Sequence, residues 1–276
     1  MFKGKKKALV AILLAAVLAL GLAACSSGNQ SNSNSSQPSE SAQKVDPAKD
    51  VVGKWQVAAV KMGETTVVGD FAASYDDYND MSIEVNEGGT GTLNGGEEAT
   101  KEFTWTAEGD KITFNIEGAA EGSFVEYRDG MIVLGSTGGD DAENPVNEAY
   151  FTKDGTYPGL TAISAADAKP VKNEKLAGNY EMCGAGMYAM TVYGEPAAIS
   201  EAMGVPNSDI VLKDDGTGTL GGDEQIKWKS DDNGTVLIMS MFGEDVEVPF
   251  KSVADYYLLD LGDIMGNNMF YLYRAA

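Results

Sequence analysis

Gly89-Thr90-Gly91-Thr92-Leu93 recurs as Gly216-Thr217-Gly218-Thr219-Leu220, and each copy follows a short strand-like triplet, Ile83-Glu84-Val85 or Ile210-Val211-Leu212, at a shared offset of 127 residues. Five identical residues of low complexity carry little alone; the ordered series around them carries more. Gly53-Lys54-Trp55 is echoed by Gly178-Asn179-Tyr180, and Phe103-Thr104-Trp105 by Ile226-Lys227-Trp228. Ile112-Thr113-Phe114 matches Val236-Leu237-Ile238, and the copies close on Tyr150-Phe151-Thr152-Lys153 and Tyr271-Leu272-Tyr273-Arg274. The chain thus reads as two units of about 100 residues, the size of a small domain. They occupy 51–154 and 176–276, with 155–175 as a linker marked by Gly155, Pro158, Gly159 and Pro170.

Inside each copy the apolar period is two. Met81, Ile83 and Val85 alternate with polar neighbours, as do Phe103 and Trp105, and Ile112, Phe114 and Ile116. Such alternation predicts antiparallel strands with one face in a core and one in water. Glu108-Gly109-Asp110, Arg128-Asp129-Gly130, Asp214-Asp215-Gly216 and Asp232-Asn233-Gly234 supply the positive φ angles that tight hairpins need. Short strands at regular spacing predict an all-β chain of two tandem up-and-down meanders, each relieved of exposed edges by closing into a small barrel. One short helix per copy is expected, near Asp70–Tyr78 and Pro196–Met203.

The N-terminus has a different character. Lys3, Lys5, Lys6 and Lys7 precede an apolar run, Ala8–Leu22, too short for the roughly 20 residues that cross a bilayer. Residues 1–24 read as a secretion signal. The ending Leu22-Ala23-Ala24-Cys25 resembles a lipobox. That resemblance implies a diacylglyceryl group on Cys25 Sγ, with a further acyl chain such as palmitate on its amine, and so a membrane partner through lipid. Two or more chains give the stable anchoring that one cannot. The implied location is the extracytoplasmic face of a bacterial cell membrane, or the outer membrane where the cell has two. Residues 25–50, rich in Ser, Asn, Gln and Pro, read as a disordered tether with an r.m.s. span of roughly 27 Å.

Composition narrows the chemistry. The formal charge is −22, and removing the four lysines of residues 1–24 takes it to −26. A body this acidic is repelled by nucleic acid and by anionic headgroups, so no nucleic-acid partner is expected. With Cys25 committed to lipid, Cys183 has no disulfide partner. The chain has no histidine, which excludes Ser-His-Asp and Cys-His nucleophile systems and zinc sets that need His.

An early Gly-x-Trp strand, a short helix and a run of hairpins ending in an aromatic strand with a basic residue resemble the lipocalin-like (calycin) architecture. More narrowly, Gly-Thr-Gly-Thr-Leu and Phe-x-Trp are similar to lipocalin-like domains of bacterial lipoproteins, over 51–154 and 176–274. The resemblance implies that Trp55 packs under Lys153, and Tyr180 under Arg274, as structural cation–π contacts of about 0.5–2 kcal/mol at the closed end of each barrel. The second copy departs from the pattern by carrying Tyr180 in place of tryptophan.

Trp105, Phe114, Tyr127 and Trp228 are the candidate ligand-binding residues: they either line a small apolar cavity or fill a packed interior. The acidic clusters, among them Asp76-Asp77, Asp140-Asp141 and Asp231-Asp232, match no calcium loop and serve turns equally well. Met182, Met187 and Met190 beside Cys183 could suit a soft metal, but core packing explains them too. No metal or other cofactor and no catalytic residue is assigned. The expected activity is that of a non-enzymatic binding or interaction module for a small apolar ligand, a glycan or an envelope protein. The alternatives are an inhibitor or spacer that meets a cationic protein, and a hydrolase built on two carboxylates.

Overall fold

The computed structural model describes residues 46–71, 81–95, 98–119, 122–136, 147–172, 175–187, 189–205, 208–241, 243–262 and 269–276. The stretch read as a secretion signal, Cys25 and nearly all of the stretch read as a tether lie outside these residues, as does most of the helix expected near Asp70–Tyr78. Pro47–Asp50, read from composition as the end of a disordered tether, instead form one helical turn capped by the Asp46 side chain on the Ala48 N–H, and Asp50 contacts Lys153 of the first unit.

The chain is all-β and antiparallel, and its contacts divide it into two units. Strand β1 (Gly53–Met62) is shared: its residues up to Val57 count with the first unit, Ala58–Met62 with the second. β2 (Thr65–Gly69) also counts with the second. The first unit continues with β3 (Ser82–Asn86), β4 (Thr90–Gly95), β5 (Glu98–Glu108), β6 (Lys111–Ile116), β7 (Ser123–Arg128), β8 (Met131–Ser136) and β9 (Asn147–Thr152). Here β1, β3, β4, β5 and β6 pair in succession, and β7, β8 and β9 form a second run.

The second unit adds β10 (Lys169–Pro170), β11 (Gly178–Met187), β12 (Met190–Tyr193), β13 (Ile210–Leu212), β14 (Thr217–Leu220), β15 (Glu224–Asp231), β16 (Gly234–Met241), β17 (Glu244–Val253), β18 (Tyr256–Asp260) and β19 (Phe270–Ala275). β11 pairs β13, each later strand pairs the next, and β19 returns to β11, which closes an eight-stranded antiparallel barrel. The helix Pro196–Met203 buries Ile199 and ends at Gly204, whose φ of 65° is the left-handed conformation that stops a helix without a Cβ clash.

The stretch 155–175, read from its glycines and prolines as a linker, is held by this unit from Thr156 onward. β10 pairs β17, Ile163 and Val171 are buried, and the Thr235 hydroxyl donates to Val171 O at 2.8 Å. Glycine and proline shape turns as well as they loosen a chain, and a few apolar residues between them suffice for docking.

The registers repeat residue for residue. Trp55 lies opposite Ile83 as Tyr180 lies opposite Ile210, and Ile83 opposite Leu93 as Ile210 opposite Leu220. Within the second unit, hairpins β1–β2 and β11–β12 also match: Val60 faces Val67 as Ala185 faces Val192. These two hairpins pair with each other through β2 and β12, with Val67 opposite Val192, Thr66 opposite Tyr193 and Val68 opposite Thr191. Equivalent residues therefore meet about a local two-fold, as in the isologous interface of a dimer.

Two alignments read from the sequence shift by one residue. Trp105 faces Phe114 while Trp228 faces Leu237, so Phe114 corresponds to Leu237 and not to Ile238. Phe151 faces Ile132 while Tyr273 faces Tyr257, so Lys153 corresponds to Ala275 and Arg274 to Thr152. Alternating apolar text fixes the period and leaves the phase open to such slips.

Glycines in three strands face cross-strand phenylalanines. A Cβ added at Gly91, Gly135 or Gly186 would lie 2.2 Å from Phe103 Cζ, 2.4 Å from Phe124 Cζ or 1.8 Å from Phe270 Cζ. Each ring covers the bare backbone opposite it, an arrangement that rescues a glycine inside a sheet. The β7–β8 and β17–β18 turns place Asp129 and Ala254 at φ of 53° and 48°. Alanine pays for the left-handed conformation there. We expect Ala254→Gly to raise stability by about 0.5–1 kcal/mol, read as a higher midpoint in urea; a lower midpoint would contradict the turn assignment.

Candidate functional site

The four aromatics offered as ligand-binding candidates divide between the two units: Trp105, Phe114 and Tyr127 belong to the first and Trp228 to the second. Trp105 and Trp228 have turn-fastening contacts. The Trp105 indole N–H donates to Asn86 O at 3.0 Å and its backbone N–H to Gly89 O at 2.8 Å. Trp228 repeats both, to Lys213 O at 2.9 Å and Gly216 O at 2.8 Å. Each indole thus ties down the carbonyl that enters the Gly-Thr-Gly-Thr-Leu hairpin.

A second fastening also recurs. The Trp55 indole N–H donates to Val51 O, and the Tyr180 hydroxyl to Leu176 O, both at 2.8 Å and both across four residues. Around buried Trp55, Lys153 Nζ lies 5.2 Å from the ring centroid and 3.7 Å from Asp50 Oδ1. Tyr127 stands edge-on to Trp55 at 6.0 Å and donates to the Asp50 carboxylate. Burial, and then the hydrogen bond and charge of Asp50, push the Tyr127 phenol well above its usual range. Tyr127 is thereby part of a closed structural cluster.

In the second unit Tyr180 and Arg274 do not meet. The one-residue shift places Arg274 on the opposite face of β19 from Lys153 in β9, and its guanidinium lies 5.3 Å from the Tyr256 centroid and donates to the Tyr256 hydroxyl at 3.2 Å. Tyr180 packs edge-on against Phe250 at 5.4 Å and Tyr257 at 5.0 Å, and Phe250 stacks on Tyr257 at 5.4 Å. With Met182, Leu237, Val248 and Tyr273 these rings belong to the apolar core of the eight-stranded barrel.

The Tyr273 hydroxyl is buried with no hydrogen-bond partner among the described residues, and burial raises its pKa strongly. An unsatisfied buried hydroxyl costs about 1–3 kcal/mol. Tyr273→Phe should therefore stabilise the protein by about 1 kcal/mol in a denaturant titration, and a loss of that size would reveal a bond the hydroxyl does make.

Cys183 occupies the bulge where the β11–β19 register shifts between Met182 and Gly184. Burial pushes its thiol from 9.0 up to about 11, against a lowering by Arg274. At pH 8 it should react with iodoacetamide about 100-fold more slowly than in the unfolded chain; equal rates would contradict this. The unfolded thiol loses its proton from about pH 9 and the folded thiol near 11, so the stability this group contributes falls as pH rises through that window.

Among the described residues, an open groove lies on the first unit. This groove of about 790 Å³ is lined by Asn86 of β3, Thr90, Gly91 and Thr92 of β4, and Glu102, Phe103 and Thr104 of β5, with Phe114, Asn115, Ile116, Glu117 and Ala119 in and after β6. Phe114 is the one sequence candidate in this lining, edge-on to Phe103 at 5.7 Å. The polar lining residues sit at the water-facing positions of the alternation, which sequence reading assigned to solvent. The Thr-x-Thr texts at 90–92 and 104–106 are the signal that could have found them. The lining holds two carboxylates and no lysine or arginine. Among the described residues, no group of three His, Cys, Asp or Glu side chains is placed to hold a metal ion.

Fold and site together define an all-β protein with a closed antiparallel barrel and a polar surface groove. No protein-family model, curated protein or solved structure matches the chain.

Proposed function

We propose that the chain is a membrane-anchored, extracytoplasmic lipoprotein acting as a non-enzymatic binding module. In this reading the signal ending at Ala24 is removed, Cys25 carries the lipid, and two tandem lipocalin-like barrels stand clear of the membrane on the tether. The repeated registers support a first barrel built on the plan of the second. The observation that carries the binding role is the groove of about 790 Å³ on β3–β6, a size usual for ligand sites. The packed rings inside the eight-stranded barrel favour recognition on an outer surface over an interior apolar ligand.

Intact mass of the protein from its own membranes tests the anchor. A diacylglyceryl-modified chain beginning at Cys25 is expected, and an unmodified N-terminus would refute it. Cross-linking from a photo-reactive group placed at Thr104 tests the binding role, with a captured envelope component as the expected product. A clean result under conditions that cross-link other surfaces of the same protein would refute the role of the groove. An inhibitor or spacer bound to a cationic protein is favoured by the −26 charge of the body. It predicts capture that weakens steeply with salt.

A further inference from the structure

We infer that the groove on β3–β6 is a saccharide site, with an amine-bearing sugar bound more tightly than a neutral one. The inference rests on the binding-module reading and names the ligand class of the same groove. Register fixes its chemistry. Asn86 faces Thr90, Thr90 faces Thr104, and Thr104 faces Asn115, so one row crosses four strands as amide, hydroxyl, hydroxyl, amide. In the next row Thr92 faces Glu102, and Glu117 follows at the end of β6. Strands lie about 4.7–4.9 Å apart, so successive groups in a row are spaced close to the length of one sugar ring in an extended chain.

Other ligand classes fit less well. Phosphates, sulfates and carboxylates would meet Glu102 and Glu117 with no cation in the lining. An apolar ligand would leave the amides, hydroxyls and carboxylates buried without partners. An extended peptide usually adds to a free strand edge. β4 is already paired by β3 and β5, and β5 by β4 and β6. On β4 and β5 side chains alone are left to recognise a ligand, and planar amides and carboxylates flanked by hydroxyls suit the vicinal diols of a sugar.

The second copy supplies an internal contrast. Its equivalent row reads Lys213, Thr217, Lys227 and Ile238, paired in the same way. In the next row Thr219 faces Gln225 where the first copy has Thr92 facing Glu102, so the amide ends and the acid of the second row are properties of the first copy. The duplication kept the strands and changed the outer face.

The test uses the full chain with two probes, a β-1,4-linked glucosamine trimer and the matching neutral glucose trimer, read by saturation-transfer NMR and calorimetry. Both should bind, the glucosamine trimer at least threefold more tightly. Asn115→Ala should weaken both by tenfold or more, and Glu102→Gln should abolish the preference for the amine. Asn115 and Glu102 are exposed on paired strands, so their variants keep the fold, which far-UV dichroism checks. Lys227→Ala in the second copy should leave both affinities unchanged. Binding that survives Asn115→Ala, or moves with Lys227→Ala, would overturn the groove assignment and leave the binding-module reading standing. Failure of both trimers to bind would overturn the saccharide assignment, while the cross-linking experiment separately decides whether the groove binds anything.

Discussion

Trp55→Ala is expected to destabilise the protein by about 3–5 kcal/mol, the range for deleting a large buried aromatic side chain. Trp55 is 1% exposed and is among the largest fully buried side chains. Its removal also leaves Val51 O, in a fully buried residue, without the indole donor, and strips Lys153 and Tyr127 of the ring between them. Trp55→Phe separates the two effects. Most of the ring area stays, so the loss should shrink to about 1–3 kcal/mol, the cost of the unpaired carbonyl. The readout is amide exchange in β3, β4 and β5, where protection should fall by two to three orders of magnitude for the alanine variant. A loss under about 1 kcal/mol would mean that Trp55 does not organise this end of the unit.

The second large effect is steric. Gly186→Ala would place a methyl carbon 1.8 Å from Phe270 Cζ, with two further ring carbons at 2.3 and 2.4 Å. Phe270 is 1% exposed and lies in β19, paired by β11 and β18, so the ring has little room to swing. Overpacking of this kind costs about 1–3 kcal/mol and occasionally more. We expect roughly 3 kcal/mol from the shift in urea midpoint. Phe270→Leu alone should also destabilise, but added to Gly186→Ala it relieves the clash. The double variant should therefore be more stable than the sum of the two losses by about 1–2 kcal/mol. Simple additivity would show that ring and glycine do not press on each other.

The strands and the recurrence of their order were legible in the sequence because both are written in spacing. Alternation at Ile83/Val85 and Phe103/Trp105 marks a half-buried strand, and Asp129-Gly130 and Asn233-Gly234 mark hairpins. Pro196 and Gly204 bracket the second helix. Phase was less legible than period. Val236, Leu237 and Ile238 are all apolar, so nothing local said which of them faces Trp228; the two-residue turn between Asp231 and Gly234 decides it. The same ambiguity at the end of β19 put Arg274 beside Tyr180 on paper and beside Tyr256 in space.

The roles of the aromatics were hidden for another reason. Trp105 and Trp228 look like cavity linings because they are large and inward by period, yet their N–H groups need acceptors, and the nearest are turn carbonyls one hairpin back. The groove was hidden because its residues are the polar half of each strand, which period-two reading treats as solvent. Seeing a site there takes the register, since Asn86, Thr90, Thr104 and Asn115 align only once four strands are laid side by side. Likewise, the division at Val57 and Ala58 cannot be read from text, because β1 is one continuous strand of ten residues.

The account depends on the two copies sharing one strand plan, and cross-strand backbone NOEs in the full chain test that most directly. The expected set places Ile83 beside Leu93 and Trp105 beside Phe114, and repeats as Ile210 beside Leu220 and Trp228 beside Leu237. A second copy that instead showed Trp228 beside Val236 or Ile238, or no contact between Ile210 and Leu220, would contradict it.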